Sequence, residues 1–482
     1  MNIKMVFHTV GRLAVVLGFI LLLPLFVTVY YKEDSVLSFL VTISISMIIG
    51  ILLQLIFRPK NTVIYAKEGF AIVTLSWIMM SLLGAIPFFI SGQIPSYVDS
   101  VFETVSGLTT TGASILENVE LLGKGMLFWR SFTHWIGGMG VLVFIMAIIS
   151  NITDRSIHIM RAEMPGPIIG KLVPRARDTA KILYLIYIAM TLLEIGLLMF
   201  GGVGLFESTV YSFGTAGTGG FTIFSSGLMN YSPYVQWVIA IFMLLFGINF
   251  NLYYLMLIKR FRAAFSSSEL WCYLAIVAVS VTAITMNIMP LYQNDFGEAI
   301  RQSTFQVSSI ITTTGYATAD FNLWPTLSKG ILLTLMFIGG CAGSTAGGLK
   351  VSRVILLAKS SMREIKTMLH PRSVSSVKFE GKTVGEDTVS NVNSYFTVYF
   401  FCFFTFFLLL CFDKYSFETN FSAVTSCFNN IGPGLDLAGP FGGYYMYSDL
   451  SKIVLTVAML FGRLEIFPMI LFLMPTTWKR NK

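Results

Sequence analysis

The sequence predicts an all-α polytopic membrane protein, built from four pseudo-symmetric repeats around one axis and preceded by two extra transmembrane helices. Composition predicts the membrane class, because 55% of the 482 residues are hydrophobic and only 12% are charged. Soluble domains carry about 25% charged residues. The repeats are predicted by a short polar segment, centred on a glycine, that recurs four times between apolar runs.

The two N-terminal helices are predicted by apolar runs at 14–31 and 37–57, each close to the roughly 20 residues that cross a bilayer. Lys4 and Arg12 precede the first run, as basic residues precede the core of a signal peptide. That run is too long for a signal peptide, and no small-residue cleavage site follows it. We therefore assign residues 1–60 to two transmembrane helices.

Eight further apolar runs complete a set of ten predicted spans. They lie at about 68–92, 129–150, 182–203, 234–258, 270–291, 328–347, 393–412 and 452–475, by the length rule for transmembrane helices. They delimit four repeats, at 66–150, 181–258, 270–350 and 392–482, with a linker at 351–391. An even number of spans places both termini on one side of the membrane.

Charge predicts which side that is. Most of the 33 lysines and arginines fall on the side of the termini, above all in the loops at 151–181 and 348–390. Basic loops favour the cytoplasm, so both termini are predicted to be cytoplasmic. The opposite side carries acidic residues, Glu103 and Glu120 among them. They fit either ordinary loop composition or a surface that concentrates cations.

The recurring segment is too short or too polar to cross a membrane. Aligned on one glycine each, the four copies bring together Gly112, Gly219, Gly315 and Gly432. A serine precedes each glycine by six or seven residues, at Ser106, Ser212, Ser309 and Ser426. Non-helical backbone survives at membrane depth only where it is buried in protein or lines water. Four such loops around an axis can offer rings of carbonyl oxygens to a dehydrated cation.

Two other features interrupt predicted spans. The stretch FIGGCAGSTAGGLK, at 337–350, holds too many glycines for a stable continuous helix. It is either an intramembrane loop or a surface where small residues allow close helix packing. Arg463 lies inside the last span, where an ionisable residue is costly and indicates function. The alternative is that Arg463 snorkels to the interface or pairs with Glu194 or Glu465.

The loop sequences TTTGAS, GTGGF, ITTTGY and NNIGPG, with the two extra N-terminal spans, resemble the TrkH subunits of bacterial Trk potassium uptake systems. These belong to the Trk/Ktr/HKT superfamily, and the resemblance covers essentially the whole chain. It implies potassium-channel-like M1–P–M2 repeats (a span, a pore helix with its loop, a second span) around one pore. The implied K⁺ filter residues are Thr110, Thr111, Gly112, Thr218, Gly219, Gly220, Thr314, Gly315, Tyr316, Asn430, Ile431 and Gly432.

The same resemblance assigns roles to the two interruptions. It implies that the glycine-rich stretch is a gate loop below the filter and that Arg463 constricts the pore. The implied gate-loop residues are Gly339, Gly340, Gly343, Ser344, Thr345, Gly347 and Gly348. Within the superfamily, a serine in place of the first loop's glycine goes with sodium permeation. The chain has Gly112 at that place, which favours potassium.

The resemblance also implies the partners. They are K⁺ as the transported ion, the lipid bilayer of the bacterial cytoplasmic (inner) membrane, a second copy in a homodimer, and a cytosolic nucleotide-binding RCK-type (TrkA-like) regulatory subunit. We expect no bound organic cofactor and no nucleic acid partner. The basic loops at 151–181, 259–262 and 348–390 are candidate docking sites for the regulatory subunit, although the positive-inside bias alone explains their charge.

Other functions remain open at this point. A K⁺/Na⁺ or K⁺/H⁺ co-transporter of the same superfamily is the main alternative. A secondary solute transporter with broken helices is disfavoured, because such folds carry inverted or two-part repeats. An enzyme is disfavoured as well, because no catalytic cluster of residues occurs at the ends of the predicted spans.

Overall fold

The computed structural model describes residues 1–60, 65–140, 176–372 and 376–478. Within these ranges all regular secondary structure is helical apart from one small β-hairpin. The predicted all-α polytopic fold is therefore confirmed. Six of the described helices are long and apolar enough to cross a membrane, and eight are if each of two sharply bent helix pairs counts as one span.

The N-terminal part forms a helical hairpin. Helices α1 (Ile3–Ile20) and α2 (Leu22–Tyr30) make one almost continuous apolar span, and α3 (Val36–Ile56) packs along α1. Gly11 and Gly50 lie at this contact, where a Cβ on Gly11 would stand 2.8 Å from the Gly50 carbonyl oxygen. Small residues therefore let the two backbones approach closely.

Each of the four repeats has an outer helix, a shorter pore helix and an inner helix. Repeat 1 contains α4 (Ala66–Ile90), α5 (Tyr97–Leu108) and α6 (Lys124–Gly138). Repeat 2 contains α7 (Ala176–Phe200), α8 (Leu205–Gly217), α9 (Pro233–Phe246), α10 (Phe250–Leu257) and a connecting α11 (Phe261–Phe265). Repeat 3 contains α12 (Ser268–Ile288), α13 (Phe296–Ile311) and α14 (Thr326–Ile338).

A linker with its own structure joins repeats 3 and 4. It consists of α15 (Val351–Leu369) and the hairpin of β1 (Lys378–Phe379) with β2 (Lys382–Thr383). Repeat 4 then contains α16 (Glu386–Leu410), α17 (Phe417–Asn429), α18 (Asp449–Arg463), α19 (Ile466–Leu473) and a terminal α20 (Pro475–Trp478). Short 3₁₀ turns lie at Val119–Leu121, Met289–Tyr292, Phe321–Leu323 and Asp436–Ala438.

Packing between neighbouring repeats closes into a ring. The inner helix of each repeat contacts the pore helix of the next: α6 contacts α8, α9 contacts α13, α14 contacts α17, and α18 contacts α5. Phe102 and Phe305, which occupy matching places in two pore helices, are fully buried. The N-terminal hairpin lies outside this ring, with α1 against α4 and α2 against α6.

The inner helices of repeats 2, 3 and 4 end or bend midway, whereas the sequence predicted a non-helical break in repeat 3 alone. Helices α9 and α10 meet at 91°, and α18 and α19 meet at 118°. The predicted spans at 234–258 and 452–475 are therefore bent helix pairs, not single straight helices. The predicted span at 328–347 is the thirteen-residue α14 followed by a loop. Of the span predicted at 129–150, the residues after 140 lie outside the described part of the chain.

Candidate functional site

Four short loops, which we call filter loops after their predicted role, follow the C-termini of the pore helices. We define them as loop 1 (110–112), loop 2 (218–220), loop 3 (313–315) and loop 4 (430–432). The first residue of each loop is left-handed, with φ of 55° at Thr110, 54° at Thr218, 55° at Thr313 and 56° at Asn430. The last is a glycine, with φ of 79° at Gly112, 75° at Gly220, 87° at Gly315 and 103° at Gly432. This conformation strongly favours glycine.

The four loops contact one another in a closed ring. A Cβ on Gly112 would overlap the Gly219 carbonyl oxygen of loop 2, and one on Gly220 would overlap the Thr314 oxygen of loop 3. The same holds for Gly315 against the Ile431 oxygen of loop 4 and for Gly432 against the Thr111 oxygen of loop 1. Each glycine thus abuts a carbonyl of the next loop, and the fourth loop returns to the first.

The ring corrects the sequence alignment of the second loop by one residue. Gly220, not Gly219, takes the place of Gly112, since Gly220 has the positive φ and the contact to the next loop. Backbone bonds agree: Thr111 N donates to Ser106 O at 2.8 Å, and Gly219 N donates to Gly214 O at 2.8 Å. The predicted equivalence of Ser212 with the other three serines is therefore wrong, because Gly214 stands at that place.

The side chains of Thr111, Thr314 and Asn430 bond to other protein groups. The Thr111 hydroxyl lies 2.7 Å from that of Thr109, and the Thr314 hydroxyl lies 2.8 Å from that of Thr312. The Asn430 amide donates to the Thr111 hydroxyl at 3.0 Å, which ties loop 4 to loop 1. Thr111 and Thr314 therefore tie loops 1 and 3 to the ends of their pore helices.

Tyr316 follows loop 3, and its hydrogen bonds hold the loop against the pore helices. Its hydroxyl donates to the Tyr211 carbonyl in pore helix α8 at 3.0 Å. Its own carbonyl accepts from the Ser309 hydroxyl at 2.6 Å. In loop 4 the Ser426 hydroxyl bonds the Gly432 carbonyl in the same way, at 2.6 Å. Tyr316 thus positions the loop with its side chain.

Two separate cavities lie in this region. The first is lined by the last glycine of each loop, Gly112, Gly220, Gly315 and Gly432, and by residues that follow them. The second is lined by part of the glycine-rich stretch between α14 and α15, together with Gly138, Arg463 and Glu465. No described residue of the four loops lines the second cavity.

The glycine-rich stretch is an irregular loop packed against loops 3 and 4. We call residues 339–348 the gate loop, after the role that the resemblance implies. Gly339, Gly343 and Gly348 have φ of 78°, 73° and 73°, so the interpretation as a helix-packing surface is wrong. The Gly347 N–H donates to the Thr313 hydroxyl of loop 3 at 2.6 Å. A Cβ on Gly347 would also contact Asn430 of loop 4.

The gate loop is also bonded to the break in the inner helix of repeat 2. Cys341 N donates to Gly247 O at 3.0 Å, and Phe250 N donates to Gly343 O at 3.0 Å. The Thr345 hydroxyl donates to the carbonyl of Phe246, the last residue of α9, at 3.2 Å. The bend between α9 and α10 therefore provides the backbone groups that hold the gate loop.

Arg463 bridges the gate loop to repeat 1. Its Nη1 donates to the Thr345 carbonyl at 3.0 Å, and its Nη2 donates to the carbonyls of Gly137 and Gly138 at 2.5 and 2.7 Å. The suggested pairing with Glu465 is wrong, because Glu465 forms a two-pronged ion pair with Arg353, at 2.9 and 2.6 Å. Arg463 thus places a positive charge at the wall of the second cavity.

Two residues of this region carried no prediction from the sequence. Thr313 was left out of the filter residues, although it takes the place that Thr110 has in the other TTTG motif. Glu269 is buried, and its carboxylate accepts from Ala342 N at 2.7 Å and from Ser352 N at 3.1 Å. It therefore holds both ends of the segment that includes the gate loop. The sequence signal for Glu269 was a carboxylate at the edge of an apolar span.

Comparisons with known proteins agree with this geometry. The TrkH family, described as cation transport proteins, matches residues 36–479. The "Trk system potassium uptake protein TrkH" of Escherichia coli (strain K12) is 33% identical, over 99% of this chain and 100% of that protein. The "Trk system potassium uptake protein TrkG" of the same strain is 32% identical, over 99% of both. The crystal structure of the potassium transporter TrkH from Vibrio parahaemolyticus superposes with a TM-score of 0.90 at 31% identity, over 99% of this chain and 100% of that one.

Proposed function

This chain belongs to the TrkH family of cation transport proteins, and on that premise we propose that it conducts K⁺ as the transmembrane subunit of a bacterial Trk-type uptake system. The related proteins of Escherichia coli are named as potassium uptake proteins. The chain would lie in the cytoplasmic (inner) membrane with both termini in the cytoplasm, as the basic loops favour.

One observation carries the proposal: the closed ring of four loops, in which each glycine of positive φ abuts a carbonyl of the next loop. Carbonyl oxygens in such a ring can replace the hydration shell of K⁺. The pore helices end at these loops, and the negative ends of their dipoles favour a cation. Thr111, Gly219, Thr314 and Ile431 would contribute one such ring of carbonyls, at equivalent places in the four loops.

The gate loop would control the passage. Arg463 and the second half of the gate loop, residues 343–348 without Thr345, line the second cavity. A guanidinium in a narrow water-filled path repels cations, and its bond to Thr345 holds the gate loop in place. The described arrangement would then be a closed state, which opens when the gate loop leaves the Arg463 side chain.

The regulatory partner would be a cytosolic nucleotide-binding RCK-type subunit, and a second copy of the chain would complete a homodimer. Of the basic loops proposed for docking, residues 141–175 lie outside the described part of the chain. The other large loop contains α15 and the β-hairpin. In this hairpin the Glu380 carboxylate accepts from the Ser267 hydroxyl at 3.0 Å, beside the start of α12. A subunit bound there could reach the gate loop through Glu269.

Ion uptake into proteoliposomes tests the proposal. The purified chain would be reconstituted as wild type, as Gly112→Ser and as the control Gly202→Ser, and initial rates of Rb⁺ and Na⁺ uptake would be measured separately. Gly202 also has positive φ, 85°, but a Cβ there meets open space. Both variants therefore carry similar backbone strain, and only Gly112→Ser displaces a loop carbonyl.

We expect wild type and Gly202→Ser to take up Rb⁺ in preference to Na⁺, and Gly112→Ser to admit Na⁺. Equal Rb⁺ and Na⁺ uptake by the wild type would overturn the K⁺ filter. Rb⁺ uptake that requires Na⁺ or a proton gradient would instead support the co-transporter alternative.

A further inference from the structure

A buried ion pair lies behind the filter loops of repeats 1 and 2. Glu103 belongs to the pore helix α5 and Arg130 to the inner helix α6. The Arg130 Nε stands 2.5 Å from Glu103 Oε1, and the two side chains are 3% and 0% exposed. The sequence placed Glu103 among the acidic residues of the outer loops, and that placement is wrong.

Glu103 holds the strand that leaves loop 1, residues 113–115, which we call exit strand 1. Its Oε1 accepts from the Ser114 hydroxyl at 3.0 Å, and its Oε2 accepts from Ile115 N at 3.0 Å. With the bond from Arg130, the carboxylate has three donors, so both of its oxygens are satisfied inside the protein.

Arg130 holds the corresponding strand of repeat 2, residues 221–223, which we call exit strand 2. Its Nη1 donates to the Thr222 carbonyl at 2.8 Å. Its guanidinium carbon lies 3.5 Å from the centre of the Phe221 ring, a cation–π contact. The ion pair therefore connects exit strands 1 and 2 through one rigid, planar group.

Other repeats hold their exit strands with neutral groups. Gln306 stands in α13 where Glu103 stands in α5, and its amide oxygen can accept from Thr318 N at 3.0 Å and Ala319 N at 3.3 Å. In repeat 4 the Ser422 hydroxyl accepts from Leu435 N at 2.7 Å. A neutral side chain is thus enough to anchor one exit strand. The negative charge of Glu103 is therefore explained by its pairing with Arg130.

The position of Arg130 supplies that explanation. Arg130 lines the same cavity as the four glycines of positive φ, and so do Phe221 and Thr222. An unbalanced guanidinium beside a cation path would lower the local cation concentration. The bonded Glu103 carboxylate cancels that charge, and a buried charge left without its partner is strongly unfavourable.

We propose that Glu103 and Arg130 are a positioning pair for ion selection. Arg130 fixes the distance between exit strands 1 and 2, and hence between loops 1 and 2, while Glu103 keeps the neighbouring cation path free of net positive charge. This inference rests on the proposed K⁺ conduction and assigns to it two residues outside the loops that contact the ion.

The test separates the charge effect from the geometric effect. Wild type, Glu103→Gln, Arg130→Met and the double variant would be reconstituted, and Rb⁺ uptake would be measured over a range of concentrations, with Na⁺ uptake alongside. Glu103→Gln leaves the guanidinium unbalanced, so we expect the apparent KM for Rb⁺ to rise about tenfold, equivalent to about 1.4 kcal/mol. The double variant should recover the KM but retain a reduced preference for Rb⁺ over Na⁺.

Another ion pair on the same pore helix provides the control. Lys452 of α18 stands 2.6 Å from Asp99 at the start of α5, away from both exit strands. Asp99→Asn also breaks an ion pair of α5 but should change neither KM nor ion preference. If Glu103→Gln behaves like Asp99→Asn while the wild type conducts, the role of the pair is wrong. Absence of Rb⁺ uptake by the wild type would overturn the proposed function itself.

Arg130→Lys keeps the proposal testable if Glu103→Gln or Arg130→Met fails to fold. Lysine keeps the charge, but a single ammonium lacks the planar fork that bonds Glu103, Thr222 and the Phe221 ring together. We expect a normal KM with a reduced preference for Rb⁺. An unchanged preference in this variant would show that the connection between the exit strands does not affect ion selection.

Discussion

Replacing Arg463 by methionine is expected to raise ion flux through the chain without any partner. Among the described residues, Arg463 donates to three carbonyls, and that of Thr345 is the one in the gate loop. The other two, of Gly137 and Gly138, lie at the end of α6. Opening the gate loop therefore requires loss of the bond to Thr345, and methionine removes that bond while keeping much of the side-chain volume.

The size of the effect follows from that single bond. A hydrogen bond from a charged group contributes about 1.5–3 kcal/mol, so its removal should shift the ratio of open to closed molecules by about 13- to 160-fold. Removal of the positive charge from the cavity should raise the flux through each open molecule as well. The two effects have the same sign, so the flux should increase by at least the smaller factor.

Single-channel recording in planar bilayers separates the two effects, because open probability reports the bond and unit conductance reports the charge. Arg463→Lys is the matched control. It retains the charge, but one ammonium is less suited to bridging Thr345 and the α6 carbonyls, so open probability should rise while conductance stays low. If Arg463→Met changes neither quantity more than twofold, Arg463 does not hold the gate.

Three further predictions concern the loops. Thr313→Val removes the acceptor for the Gly347 N–H and should raise open probability about 2- to 13-fold, for a bond of about 0.5–1.5 kcal/mol, together with a change in ion preference. A decrease in open probability would contradict the coupling between loop 3 and the gate loop. Deletion of 341–348 should give Rb⁺ flux above wild type in proteoliposomes, and a flux no larger than wild type would argue against a gate. Gly315→Val places a branched side chain at φ 87° against Ile431 O, so Rb⁺ preference should be lost; retained preference would exclude loop 3 from the filter.

The filter loops could be predicted from the sequence because their signal is local and repeated. The TTTG motifs carry the glycine that the ring requires, at Gly112 and Gly315. Loop 2 was misaligned because its GTGGF motif offers two adjacent glycines, and only the tertiary contact to Thr314 O determines that Gly220 takes the left-handed conformation. A choice between neighbouring glycines has no signature in the sequence of the loop itself.

The breaks in the inner helices could not be predicted, for a related reason. Residues 234–258 form one apolar run, and nothing in it demands a bend. The bend is stabilised from elsewhere in the chain: Gly247 O accepts from Cys341 N, and Phe250 N donates to Gly343 O. These bonds replace helical bonds that the break gives up. The gate loop and the bend of repeat 2 therefore depend on each other, and each is visible only once both are placed.

The coupling between the proposed filter and gate is asymmetric. Thr110 and Thr313 occupy equivalent places at the starts of loops 1 and 3, with φ of 55° in both. Thr313 accepts from the gate loop, whereas the Thr110 hydroxyl has no hydrogen-bond partner within the described ranges. A gate loop that moves away from Arg463 must also release Thr313, so opening would alter loop 3 directly and the other loops only through the ring. Ion preference and gating should therefore respond together to changes in loop 3, and separately to changes in loop 1.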